Sequence, residues 1–235
     1  MIWVNDRTGR FKKRPHYSTA ELDISCEQTV RNLFSLNENE KTFITTEELT
    51  ILIERHTDDF DSSCDLTSEG TDVEGVTYFA KGQKPVVKIS NNLQSVQYEN
   101  RLRTTLTHEL FHVLFHDFLY QLDDQPSLFS SDRLPADSGK ANKCNRDQIN
   151  SVNTVDWMEW QAGYACGAFL IPASHLHEKV LTFKKENDVV FQNLPIHSSE
   201  GKQLIEHIAN TFKTSYDAAR IRLLQKGLIT DTVGF

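Results

Sequence analysis

The stretch that most limits the fold runs from about residue 95 to 116, "SVQYENRLRTTLTHELFHVLFH", without a glycine or proline. A breaker-free run of this length predicts a helix. At its end "HELFH" places His108 and His112 one turn apart, with Cβ atoms about 5–6 Å from each other. Two imidazoles so spaced can reach one zinc ion at about 2.0–2.1 Å. Glu109 lies beside the first histidine in the HExxH pattern, where its carboxylate can serve a metal-ligated water without binding the ion. His116 continues the four-residue spacing. A helix rises about 12 Å from 108 to 116, too far for both ends to share an ion, so His116 is expected to pack or to support a ligand.

A catalytic zinc commonly takes three protein ligands and a water, so a third ligand has to come from another segment. Glu159 is the leading candidate. The positions after it on the helix "VDWMEWQAGYACGAFLIP" include Ala162, Gly163, Cys166 and Gly167, a small-residue face that would let this helix approach the first. Ordinary close packing, with Glu159 in solvent, explains the same small residues. Asp156, Asp123 and Asp124 are rivals.

The rest of the 235 residues gives an α+β element list. "STAELDISCEQTVRNLFSL" and "TTEELTILIERH" read as capped helices. "TDDFDSSCDLTSEGTD" reads as an acidic connection that lacks the EF-hand order of carboxylates and glycine. "GVTYFAKGQKPVVKIS" reads as a hairpin whose Pro85 marks "PVVKIS" as an edge strand able to pair with an extended peptide. Residues 117–156 are polar and turn-rich, as in a mobile insertion or lid. From about 199 the chain reads as two helices, with Ser215 capping the second and Gly227 ending it.

Composition narrows the function classes. A net charge of −8 argues against a protein that coats nucleic acid. The basic "RFKKR" is read as part of a solvated leading tail. Cys26, Cys64, Cys144 and Cys166 lie far apart with no CxxC pair, which favours free thiols over a cysteine zinc site. No apolar run approaches membrane-spanning length, and the leading residues lack a signal-peptide core; the expectation is a cytoplasmic protein with no membrane partner.

Taken together, "RLRTTLTHELFH" at 101–112, "EWQA" at 159–162 and "FLIP" at 169–172 resemble the ImmA/IrrE family of metallopeptidases. The likeness spans about 18–230. It implies a zincin-like core, an active-site helix on a small sheet, followed by a helix-turn-helix-like tail. The implied division is a flexible tail at 1–17, a metallopeptidase domain at 18–195 and a helical segment at 196–235. Position by position, it implies His108 and His112 as zinc ligands, Glu159 as the third in a gluzincin-type set, and Glu109 as general base. Phe111, Gly163 and Ala165 depart from the residues common in the family (glycine, asparagine and phenylalanine), which affects the pocket more than the ligands.

The family's proteases cut helix-turn-helix repressors of mobile elements or stress responses, so the resemblance implies a zinc endopeptidase with such a protein substrate. Tyr98, Tyr164, His175 and His177 are candidate oxyanion donors. The tail's basic residues, among them Lys202, Lys213, Arg220, Arg222 and Lys226, barely outnumber its acids, so direct DNA contact is not expected. The competing reading is a non-catalytic regulator that binds DNA or a protein, with zinc structural or absent.

Overall fold

The computed structural model describes residues 1–34, 43–122, 140–145, 156–190 and 193–231. It divides into two compact units, 1–18 with 46–163, and 19–45 with 164–235. These differ from a simple tail–domain–tail succession along the chain.

In the first unit, strands β1 (Ile2–Asn5) and β2 (Lys13–His16) pair antiparallel. The leading 1–17 segment is therefore a hairpin rather than the flexible tail expected from its charge. The reason is visible in the side chains. Arg10 donates to Asp156 at 2.6 Å, and Asp6 accepts from Thr8, Phe11 and the Trp157 indole. Phe11 is buried in a cluster with Phe79, Leu119, Tyr120, Trp157 and Met158. An aromatic ring between the cations of "RFKKR" anchors what charge alone would leave in water.

The main sheet has the order β3 (Asp59–Cys64), β5 (Val86–Ser90), β4 (Val73–Phe79), β6 (Lys140–Asn145). The expected hairpin is present as β4 and β5, antiparallel with Val76 opposite Lys88. Two expectations are corrected. The acidic connection contains β3, parallel to β5. Its "DFDSSC" is mostly exposed and lacks apolar alternation, as polar edge strands do. The segment "PVVKIS" is consequently not an edge strand: β5 is flanked on both sides and cannot take a peptide by strand addition. Pro85 lies just before β5, and its carbonyl accepts from the Asp58 N–H at 2.9 Å.

Helix α1 (Thr19–Phe34) belongs to the second unit; α2 (Thr46–His56) and α3 (Glu99–Phe115) belong to the first. The α3 helix packs on α2 and on β4. It buries nearly its whole second half, polar residues included. The short α4 (Asp117–Leu122) follows directly, with Leu119 and Tyr120 buried. Of the stretch 117–156 expected as a mobile insertion or lid, α4 and β6 are regular structure, and 123–139 and 146–155 lie outside the described residues.

Helix α5 (Trp157–Leu170) begins in the first unit and ends in the second. The second unit continues with α6 (Ala173–Glu186), α7 (Ser199–Phe212) and α8 (Tyr216–Gln225), and a small parallel pair, β7 (Leu194–Pro195) with β8 (Ile229–Thr230). Ser215 Oγ accepts from the Ala218 N–H at 3.1 Å, capping α8, and Gly227 ends it at φ 63° as expected. Cys26, Cys64 and Cys166 are free thiols. Among the described residues no helix is long and apolar enough to cross a membrane.

Candidate metal centre

The centre is built from α3 and the first turn of α5, both within the first unit. His108 and His112 project from one face of α3, as the four-residue spacing requires. Glu159, on α5, meets them. His108 Nε2 lies 3.0 Å from Glu159 Oε2 and 3.0 Å from His112 Nε2, and His112 Nε2 lies 3.4 Å from Glu159 Oε1. Donors bound tetrahedrally to zinc at about 2.0–2.1 Å stand roughly 3.4 Å apart. Three nitrogen and oxygen donors at 3.0–3.4 Å fit that spacing with small adjustment. His108, His112 and Glu159 thus form a cluster capable of coordinating a metal ion.

Burial adds a second test of fit. His108 and Glu109 have no exposed surface, and His112 is 1% exposed. Burial opposes ionisation of Glu159, but the neighbouring His112 and His108 imidazoles outweigh it, holding the carboxyl well below its usual range. Glu109 is pushed the other way. Burial raises it, and His108, His112 and the Thr77 hydroxyl only partly offset the rise. Thr77 Oγ1, on β4, donates to Glu109 Oε2 at 2.5 Å. The other oxygen, Oε1, is buried with no hydrogen-bond partner among the described residues. A fully buried carboxylate oxygen without a donor is a costly arrangement unless something else engages it.

Gly75 explains how Glu109 fits against the sheet. A Cβ there would stand 2.5 Å from Glu109 Oε1 and 2.9 Å from Thr105 Cγ2. Only a residue without a side chain leaves the acid its place beside β4. Neither Gly75 nor Thr77 was a sequence candidate. Their role depends on how β4 lies against α3, and the only available signal was a glycine inside a strand pattern, which marks close approach.

Behind His112 a further chain of contacts runs out to β2. His112 Nδ1 lies 2.8 Å from His116 Nδ1, His116 Nε2 lies 3.0 Å from Gln161 Oε1, and Gln161 Nε2 donates to the Pro15 carbonyl at 3.1 Å. His116 is the residue after α3, outside the donor cluster, as the helix rise required. Phe111, which departs from the resembled pattern, stacks on Phe115 at 4.6 Å and meets the His116 ring edge-on at 5.1 Å.

The other candidates are placed elsewhere. Asp156 pairs with Arg10; Asp123 and Asp124 lie outside the described residues. Tyr98 is exposed, with the Arg101 guanidinium 5.9 Å from its ring centre. The Tyr164 hydroxyl bonds Asp23 at 3.1 Å, and His177 Nδ1 donates to the Ala173 carbonyl at 2.6 Å. His175, on α6, is half-buried. The small-residue face does not act as expected: a Cβ on Gly163 would meet nothing, and Gly167 makes room for Arg222. In the tail, Arg222 and Lys226 both pair with Asp23.

No model of a known protein family matches the chain, and a search of the curated proteins finds no match.

Proposed function

We propose that the chain is a zinc endopeptidase of the ImmA/IrrE type that cuts a regulatory protein, a helix-turn-helix repressor of a mobile element or stress response. The observation that carries the peptidase reading is the pairing of a three-donor cluster with a separate buried carboxylate, Glu109, whose Oε1 has no hydrogen-bond partner among the described residues. A purely structural metal site has no use for that second acid. The substrate class rests on the resemblance of the three sequence motifs alone.

In this reading His108, His112 and Glu159 would hold the ion, which would supply Lewis acidity to the carbonyl and to a nearby water. Glu109 accepts the water's proton at Oε1 and returns it to the leaving amine. Thr77 holds the opposite oxygen, so the carboxylate keeps one orientation through both transfers.

The test pairs two variants. Glu109→Gln is expected to bind zinc as the parent does and to lose cleavage of a purified helix-turn-helix repressor substrate by more than about a hundredfold. Glu159→Ala is expected to lose zinc. If Glu109→Gln performs the cellular task as well as the parent, the chain is a non-catalytic regulator. If unstructured oligopeptides are trimmed rapidly while the folded repressor stays intact, the substrate class is wrong and the chemistry stands.

A further inference from the structure

The contacts behind His112 have a direction that proton counting reveals. Pro15 offers a carbonyl, which only accepts, so the Gln161 atom facing it is the amide NH2. That fixes the other end of the amide as oxygen, and the oxygen faces His116 Nε2 at 3.0 Å. His116 Nε2 must therefore carry a proton. Between His116 Nδ1 and His112 Nδ1, 2.8 Å apart, there is room for one proton. Placing it on His116 would make a fully buried imidazolium whose hydrogen-bond partners among the described residues include no carboxylate, a costly state. The proton belongs on His112 Nδ1.

We propose that Gln161 and His116 are positioning residues that fix the tautomer of His112. They hold its proton on Nδ1 and turn the Nε2 lone pair toward His108 and Glu159. The proposal rests on the reading that this cluster takes a metal, since a ligating imidazole needs that lone pair. Geometry holds the ring as well as the proton. His116 is clamped edge-on by Phe111 at 5.1 Å and Trp157 at 5.5 Å, and its Nδ1 cannot swing away from His112. The outer end is a backbone group on β2, so no side-chain rotation can reverse the chain of donors.

Long-range proton–nitrogen NMR on the full chain with labelled histidines reads the tautomers directly. In the metal-free parent His116 is expected to show Nε2–H and His112 Nδ1–H. Zinc affinity, measured by competition with a chelating dye, gives the second readout. His116→Phe keeps an aromatic ring between Phe111 and Trp157 but has no acceptor for His112. It is expected to bind zinc at least about tenfold more weakly than the parent. His116→Gln, whose amide oxygen can still accept, should recover most of that loss. Gln161→Leu should scramble the His116 tautomer and weaken zinc binding without removing either histidine.

His116 protonated at Nδ1 in the parent, or parent-like zinc affinity in both His116→Phe and Gln161→Leu, would overturn the proposal. A parent that binds no zinc overturns the metal reading instead, and the tautomers of the metal-free chain still decide the relay.

Discussion

Asp23 in the second unit is a buried carboxylate and Glu159 in the first a largely covered one, and their partners differ in kind. Asp23 accepts from Arg222 Nη2 at 2.6 Å, Lys226 Nζ at 2.8 Å and the Tyr164 hydroxyl at 3.1 Å. Two permanent cations and a phenol close the group. Arg222 is itself fully buried and donates from Nε to the Ile171 carbonyl at 3.1 Å. Glu159 instead faces two imidazoles that are neutral in their ligating form, and a second acid, Glu109, stands beside them. One cluster supplies its own counter-charge and acts as a strut. The other gathers donors in excess of its protein cations, an arrangement able to take a divalent ion. Burial alone does not separate a cluster able to take a metal from a structural one; the balance of charge within it does.

The comparison is open to attack from both sides. The largest effect is expected from Asp23→Ala, which strands the buried Arg222 charge and should destabilise the second unit by about 3–5 kcal/mol, read by hydrogen exchange along α8. Glu159→Gln should cost the metal-free protein far less; an equal loss would make the Glu159 cluster a strut too. Next comes zinc itself. At a free concentration a hundred times its dissociation constant, the ion should stabilise the first unit by about 2.7 kcal/mol, a gain that a chelator removes. A gain in Asp23→Ala but none in Glu159→Gln would sharpen the contrast.

Smaller still is Thr77→Val, expected to lower kcat/KM by about 1.5 kcal/mol, roughly tenfold, with zinc retained and with Thr77→Ser restoring the rate. The mildest test is acid. Arg222 and Lys226 outweigh the desolvation of Asp23 and hold its carboxyl below the ordinary value. Its contribution should be complete above the usual aspartate range and vanish as pH falls through the lowered value. Acid unfolding of the second unit should start at higher pH in Lys226→Met.

The pairing of the two α3 histidines was legible because helix geometry alone brings i and i+4 together. Glu159 was legible as a candidate, for a reason that did not hold: the carboxylate arrives although Gly163 contacts nothing and Gly167 accommodates Arg222. Thr77, Gly75, Gln161 and Pro15 were not legible as site residues. Each acts through a strand register or a contact more than thirty residues away in sequence, and neither leaves a local periodic mark. The β3 strand and the first hairpin were hidden for the opposite reason. Their polar and basic residues look like loop and tail, and it is pairing partners, Val87 for Phe60 and Pro15 for Trp3, that make them strands.

The β1–β2 hairpin has a practical consequence at the bench. A worker tidying an expression clone would trim the charged front of this gene without hesitation. Removing those first seventeen codons deletes the carbonyl against which the Gln161 amide is oriented, together with the Phe11 ring. The truncated protein should still carry both histidines of "HELFH", while binding zinc more loosely than the untrimmed chain in the proposed reading.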